Sequence, residues 1–285
     1  MLGDGRDLGV RLRYVVEAEP LGTGGGVRNA ADPTAGRLLV LNGDTLTNVD
    51  LTAMLSFHDA RGARASIHLG PKEDPTPYGM VETDAEGRIL RFVEKPRREE
   101  ITTNTVNTGI YLLDRELLDL IPRGRAVSIE REFFPALLAR KIPLFGFVTD
   151  AYWLDIGTPE QYRRAHVDLL KGAVDTPLTP PGTRSGDVWV GAEVSIAPGA
   201  SVRGPAVLGS GVRLEPEASV GPWSVLGDHV RVGRGGRVEG AVLWDNVSVG
   251  EAAVVTECVV GSGAVIGRGA CVGAGAVVAE NEVVS

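Results

Sequence analysis

Up to about residue 172 the apolar positions fall into short runs of two kinds, which alternate as strands and helices do in an α/β domain. VRLRYVVE, from Val10, predicts a strand, GTGGGVRNAAD a helix start, and RLLVLNGD a buried strand ending in a polar turn. Residues 51–61 predict a helix, RASIHLG another buried strand, and residues 88–94 a strand alternating apolar and charged positions. NTGIYLLD, PLFGFVTD and AYWLDIG predict further strands, with helices over 131–140 and 159–171. The expectation is a mixed sheet covered by helices.

Residues 173–187 interrupt this pattern with three prolines, glycines and small polar residues, and predict a linker. From Val190 the apolar positions recur every six residues: Val190, Ile196, Val202, Leu208, Leu214, Val220, Leu226, Val232, Val238 and Trp244. After a five-residue step come Val249 and Val255, and after another Val260, Ile266, Val272, Val278 and Val284. A helix needs a period of 3.6 and a lone strand a period of 2, so neither accounts for six. A triangular coil of three short strands does, each strand sending one aliphatic inward and each coil stacking on the next. In proteins with this hexapeptide repeat the coil winds left-handed, an exception to the right-handed crossover rule. Residues 188–285 are therefore expected to form a left-handed parallel β-helix of about five coils.

Composition narrows the function. The 285 residues carry 37 acids against 29 bases, a net charge of -8, which argues against a general binder of nucleic acid or membrane surfaces. Two cysteines, Cys258 and Cys271, are too few for a disulfide framework and suggest a reducing cytoplasm. No apolar run of 18 residues spans a bilayer, and the start MLGDGRDLG lacks the order of a signal peptide.

Several motifs place chemistry-bearing residues at element ends. In LVLNGDTLTNVD, Asp44 follows a buried apolar run, where strand ends open into the ligand crevice of α/β sheets; it reads equally as a turn or N-cap aspartate. Asp155, in YWLDIGTPEQY, ends another strand before a helix start, and two such carboxylates could share one Mg²⁺, which prefers oxygen ligands and phosphates. Glu94, Lys95 and Pro96 close a further strand, where Lys95 can hold a phosphate or be half of a solvated charge pair. EPLGTGGG, residues 19–26, is a glycine-rich turn entering a helix, through which backbone N–H groups can approach a ligand. The four histidines sit in no metal-binding spacing.

EPLGTGGG, LVLNGD, YGMVE, FVEKP, NTGIYLLD and YWLDIGTPEQY, in that order and with the β-helix behind them, resemble the sugar-nucleotide pyrophosphorylases. Within that family the likeness is greatest to the β-helix-bearing mannose-1-phosphate guanylyltransferases, with glucose-1-phosphate nucleotidyltransferases close behind. The resemblance implies transfer of a nucleotidyl group from a nucleoside triphosphate to a sugar 1-phosphate, with pyrophosphate leaving. It implies that Asp44 and Asp155 bind Mg²⁺ and that Lys95 binds the sugar phosphate. It further implies that Gly79, Glu94, Asn107 and Thr108 line the sugar pocket, that Glu17 and Gly22 face the base, and that the β-helix serves homo-oligomer contacts. A carboxylate at Glu17 offers only acceptors, which suits the N1–H and N2–H₂ donors of guanine and favours GTP, although Glu19 could be the contacting residue instead. The family's glycine-rich signature, of the form GGxGTRLxPLTxxxPKP, is absent from the 285 residues. The resulting expectation is an N-terminally truncated, Rossmann-like nucleotidyltransferase domain over residues 1–172, with little or no turnover as written, followed by the linker and the β-helix.

Three other readings compete. A glucose-1-phosphate uridylyl- or thymidylyltransferase would share every motif. A non-catalytic sensor or scaffold would fit the missing signature but has no need of two metal carboxylates. A hexapeptide acyltransferase would need a coil-borne histidine as base, for which the β-helix offers only His229.

Overall fold

A computed structural model describes residues 3–177, 179–180 and 182–285. Met1 and Leu2, and Leu178 and Pro181 within the expected linker, lie outside the described residues. The chain divides into two compact units, residues 1–45 with 49–153, and residues 46–48 with 154–285.

The first unit is a mixed sheet with helices. In chain order it holds α1 (Gly22–Ala30), β1 (Arg37–Leu41), β2 (Thr45–Thr47, mostly in the second unit), α2 (Leu51–Ala60), β3 (Ala65–Pro71) and β4 (Gly79–Thr83). There follow β5 (Ile89–Glu94), β6 (Thr105–Asp114), α3 (Phe134–Ala139) and β7 (Leu144–Val148). The sheet runs β5-β4-β6-β3-β7, with β1 on β6. β3 pairs with β6 along most of its length, so β4 at Val106 and β1 at residues 110–114 share the other edge of β6. Residues 107–109 fall in the gap between those two ladders, where Asn42 N–H donates to Gly109 O at 3.0 Å and Trp153 Nε1 to Thr108 O at 2.8 Å.

Two strand expectations need correction. Residues 10–17 join no ladder, and Val10, Tyr14, Val15 and Val16 are exposed, Val16 to 91%. An apolar run becomes a strand only when a neighbour takes its N–H and C=O groups, and none of the described strands does so here. β1 forms as expected but is not buried: it pairs only with β6 among the described residues, and Leu39 and Leu41 are exposed. β3 is buried throughout except at Pro71. The core beneath the sheet is aromatic at its centre, with Phe134 packed on Phe92, Tyr111 and Phe133.

β8 (Trp153–Asp155), of which residues 154–155 belong to the second unit, pairs with β2, and α4 (Pro159–Leu170) follows, capped by the Thr158 hydroxyl accepting from Gln161 N–H at 3.2 Å. Thr183–Ser185, at the end of the stretch read as a linker, form a strand antiparallel to Val188–Val190. A left-handed β-helix of about five coils follows, its strands stacked in three parallel ladders. Seventeen or eighteen residues separate stacked partners, as in Leu208, Leu226 and Leu243 or Leu214, Val232 and Val249. The inward residue of one coil is Leu243, 1% exposed, and not Trp244, which is 42% exposed. The five-residue step therefore lies between Val238 and Leu243, where the turn at residues 240–241 is one residue shorter than the turn at residues 221–223 one coil earlier.

One face of the β-helix is apolar on the outside as well. Trp189, Val207, Val225, Val242, Val259 and Val277 stack in register, one per coil. Val242 is only 2% exposed although it lies outside the coil core, because α4 packs along this face. Tyr162 meets Trp244 edge-on, Lys171 sits over the Trp223 ring at 5.1 Å, and Arg163 Nη1 donates to the Gly240 carbonyl at 3.4 Å.

Candidate active site

α1 contains four glycines in its first five residues, a composition that disfavours a helix. It forms because those glycines let it press against the backbone of Val127. Gly22 has φ +69°, and a Cβ there would stand 2.7 Å from the Val127 carbonyl oxygen, so a side chain is excluded on both counts. The N–H groups of Gly24 and Gly25 donate to that same oxygen at 2.9 and 3.3 Å. These two donors are therefore engaged within the protein and do not face a ligand. Glu17 is half-buried and its Oε2 accepts from Leu21 N–H at 3.0 Å, which fixes it at the entrance to α1 with Oε1 next to Gly26.

A cleft of about 440 Å³ opens beside α1, lined by Thr23, Val40, Asn42, Asp44, Tyr111 and Ile129 among others. That volume is ordinary for a small-molecule site. Asp44 is exposed at its rim, and no side-chain partner engages it among the described residues. On the inner wall a polar network starts at Glu130, which sits on a single π-helical turn, Ile129–Phe133, capped by Ser128. Glu130 accepts from Thr23 at 2.9 Å, from Ser128 at 2.8 Å and from the Tyr111 hydroxyl at 3.5 Å. Tyr111 in turn accepts from Asn107 Nδ2 at 2.9 Å, and burial holds its phenol far above its usual range, so it stays a neutral donor.

Glu94 completes this side. Gly79 pairs with it across β4 and β5, and a Cβ at Gly79 would come within 2.7 Å of Glu94 Oε2, so the glycine makes room for the carboxylate. Burial, and then the Glu130 carboxylate, push Glu94 above the usual carboxylate value, while Lys95 and Arg131 pull it down. Lys95 is exposed and has φ +53°, with its N–H bonded to Tyr78 O at 2.9 Å. A non-glycine residue in that region is strained and marks a position whose direction is imposed by its surroundings.

Thr108 stands behind this wall and not on it. It is 1% exposed, and its hydroxyl donates to His68 O at 3.0 Å while accepting from His68 Nδ1 at 2.8 Å. With the imidazole neutral, Nε2 accepts from the Thr149 hydroxyl at 2.8 Å. Burial lowers the His68 pKa to about 4, in agreement. The expected sugar-lining role of Thr108 is thus replaced by a positioning one, because both its hydroxyl valences are satisfied inside the sheet.

Of the residues expected at the site, Asp44 lines this cleft, Gly22 adjoins its Thr23 and Asn107 bonds to its Tyr111, while Glu94 feels the Glu130 carboxylate with Gly79 and Lys95 beside it, and Glu17 stands at the entrance to α1. Asp155 belongs to the second unit, where its Oδ1 accepts from Gly157 N–H at 2.8 Å, leaving Oδ2 open. His229 is an exposed corner residue of the β-helix with φ +59°. Sequence reading missed Thr23, Tyr111, Glu130 and His68. Tyr111 lay inside NTGIYLLD, read as a strand and as part of the resemblance with no role for the tyrosine, and SIE at 128–130 carries no spacing or periodicity that distinguishes it from a solvated loop.

Residues 1–172 match the family model described as nucleotidyl transferase, and residues 185–285 the one described as EIF2B subunit epsilon LbH domain. The mannose-1-phosphate guanylyltransferase of Mycobacterium tuberculosis is 38% identical over 257 residues, 90% of this chain and 65% of that protein. The UTP-glucose-1-phosphate uridylyltransferase of Synechocystis is 32% identical over 202 residues, 64% of this chain and 52% of that protein. A solved structure, HddC from Yersinia pseudotuberculosis complexed with GMP-PN, is 31% identical with a TM-score of 0.46, covering 54% of this chain and 65% of that one. The chain spans 65% of the length of the first of these relatives and about half that of the second. No helix among the described residues is long and apolar enough to cross a membrane. With its α/β unit matching over residues 1–172, the chain belongs to the nucleotidyl transferase family.

Proposed function

We propose that the chain transfers a nucleotidyl group from a nucleoside triphosphate, GTP before others, to a sugar 1-phosphate, mannose 1-phosphate before others, releasing pyrophosphate. The observation that carries this reading is the single cleft in which Asp44, the Gly22–Ala30 helix and the Glu130–Tyr111–Asn107 network meet. The mannose-1-phosphate guanylyltransferase likeness over 90% of the chain supports the choice of substrates.

Each residue has a distinct task in this scheme. Lys95, aimed by its backbone, holds the sugar phosphate as a point charge. Glu94 accepts hydrogen bonds from sugar hydroxyls, and Gly79 leaves the room for it. Asn107 is oriented by its amide bonds to Tyr111 and Gly109. Glu17 presents its remaining acceptor capacity to the base, which guanine can meet with two adjacent donors and uracil cannot. Asp44, at the rim of the cleft, offers the hard oxygen donors that Mg²⁺ selects and would help to hold it, and Asp155, with its Oδ2 open, is a second carboxylate of the same chemistry. When bound, Mg²⁺ supplies charge neutralisation for the phosphates. Positioning by the protein and that neutralisation would account for the rate, since the displacement needs no covalent help from the chain.

Calorimetry with GDP-mannose tests the reading without requiring turnover. Mg²⁺-dependent binding that falls at least about tenfold in Glu94→Gln and in Asp44→Asn is expected, one lost charged contact each. Binding indifferent to Mg²⁺ and to both substitutions would overturn it. Tighter binding of UDP-glucose than of GDP-mannose would move the specificity to the uridylyltransferase reading, which the Synechocystis relative keeps in view.

A further inference from the structure

The C-terminal half of α1 borders a second cavity, of about 280 Å³, lined by Leu21, Arg28, Asn29, Arg115, Arg123 and Arg125 among others. It shares no lining residue with the cleft that holds Asp44. Four guanidinium groups around so small a space are unexpected in a chain whose net charge is -8. Their counter-charges are few. Asp119 is shared, accepting from Arg115 Nη1 at 2.9 Å and lying 3.8 Å from Arg28 Nη2, and Glu132 pairs with Arg125. Arg123 is exposed and has no ion pair among the described residues, so two carboxylates face four cations.

The arrangement is also held in place before any ligand arrives. Arg28 is the most enclosed of the three whose ion pairs are described, its side chain 17% exposed, and its Nη1 donates to the carbonyls of Leu118 and Ile121. Arg115 is anchored through Nη1, yet its Nε–H is buried and meets no acceptor. A buried donor on a charged group left without an acceptor is costly, of order 1–3 kcal/mol or more, and such orphans point to a missing partner. Like charges gathered around one cavity add repulsion that an anion would remove.

We infer that this cavity is a second anion site that recognises a phosphate dianion, either free or as the phosphomonoester end of a small metabolite. The planar, forked guanidinium matches phosphate oxygens in pairs, which an ammonium does not, and all four cations lining the cavity are arginines. Its volume of about 280 Å³ matches a phosphate with a short carbon skeleton, and it is separate from the cleft proposed for catalysis.

The test is calorimetric titration of the full chain, at fixed ionic strength, with inorganic phosphate in one arm and glycerol 3-phosphate in the other. Saturable one-to-one binding with Kd at or below about 1 mM is expected in at least one arm, a modest affinity suited to a few charge-assisted bonds. Binding of phosphate alone identifies a free-anion site, and tighter binding of glycerol 3-phosphate identifies a phosphomonoester site. Arg123→Ala should weaken the binding at least about tenfold, and Arg115→Lys, which keeps the charge but removes the orphan Nε–H, several-fold. Arg140→Ala, a surface arginine outside the cavity, and Lys95→Ala, in the other cleft, should leave it unchanged. No saturable binding in either arm, retention in Arg123→Ala, or loss in Lys95→Ala would overturn the inference.

Discussion

The interior of the β-helix and the core of the α/β unit solve the same packing problem in opposite ways. Inside the coils the buried residues are Val, Leu, Ile and Ala with Cys258 and Ser224, each stacked on a small or aliphatic residue one coil away. Under the sheet the centre is a one-time arrangement of Phe92, Tyr111, Phe133 and Phe134, with no position repeated. A repeated solution spreads its stability over nearest neighbours, while a singular one concentrates it in a few large side chains. The same contrast sets where chemistry can reside. Tyr111 belongs at once to the aromatic core and to the Glu130 network, so the unit that is singular in its packing is also the one that can aim polar groups.

The largest expected effect breaks that contrast directly. Phe134→Ala removes a fully buried ring and should destabilise the first unit by about 3–5 kcal/mol. Leu226→Ala removes a smaller group that is 1% exposed, for about 2–5 kcal/mol, and its damage should stay near the coils that carry Leu208 and Leu243. Hydrogen exchange followed by mass spectrometry distinguishes the two. Protection should fall throughout residues 65–148 in the first variant and only around the neighbouring coils in the second. Loss of protection as far as Val278 in Leu226→Ala would show that the β-helix unfolds as one unit.

An intermediate effect comes from acid. His68 is neutral in the folded unit with a pKa of about 4, below the ordinary value of 6.5. The unfolded chain therefore binds the extra proton first, and stability falls as pH drops from 6.5 towards 4, by about 2 kcal/mol on reaching pH 5. His58, in the same unit, is lowered first by burial and acts in the same direction, whereas His166, also lowered by burial, lies on α4 of the second unit, outside the coils. The coil interior holds no buried titratable group but Cys258, whose thiol burial pushes up to about 11, so it has nothing to lose in that range. Urea unfolding at pH 7 and pH 5 should show the first unit weakening, and His68→Gln should remove most of the difference. An unchanged pH dependence in that variant would exclude the Thr108–His68–Thr149 chain as its source.

The two regions also differ in how far they could be read from the residues alone. Period six declares itself, because each inward residue must be apolar regardless of what surrounds the coil. The reading slipped by one at Trp244 because a shortened turn leaves two adjacent large residues, Leu243 and Trp244, and only packing decides which points inward. The outward stripe from Val207 to Val277 was invisible for a different reason, since outward valines have meaning only once α4 lies over them. In the α/β unit most elements were legible from local patterning, but 10–17 was not, because strand formation depends on a partner and not on the run itself. Of the candidate site residues, Asp44 and Lys95 could be named from strand ends, and Glu94 from the resemblance alone. Glu130 and His68 could not, because they are defined by contacts across 19 to 107 residues of chain.

The smallest effect sharpens the comparison at the level of single hydrogen bonds. Asp50 caps α2, its Oδ1 accepting from Ala53 N–H at 2.8 Å, and Asp50→Ala should cost about 1 kcal/mol. Asp245 does the equivalent for a coil corner, accepting from Asp228 N–H at 2.8 Å, while Asp228 accepts from Ser210 N–H at 2.7 Å. Each bond is exposed, so Asp228→Ala and Asp245→Ala should each cost about 1 kcal/mol or less. The cap is solitary, and its loss should add to that of any distant substitution. The corner bonds are consecutive rungs, because the residue that donates in one accepts in the next. If stacking order passes from coil to coil, the double variant Asp228→Ala with Asp245→Ala should lose measurably less than the sum, since the second rung is already loosened when the first is gone. Strict additivity in urea unfolding would mean that each corner is as independent as a helix cap, and that the coupling between coils is carried by the aliphatic interior alone.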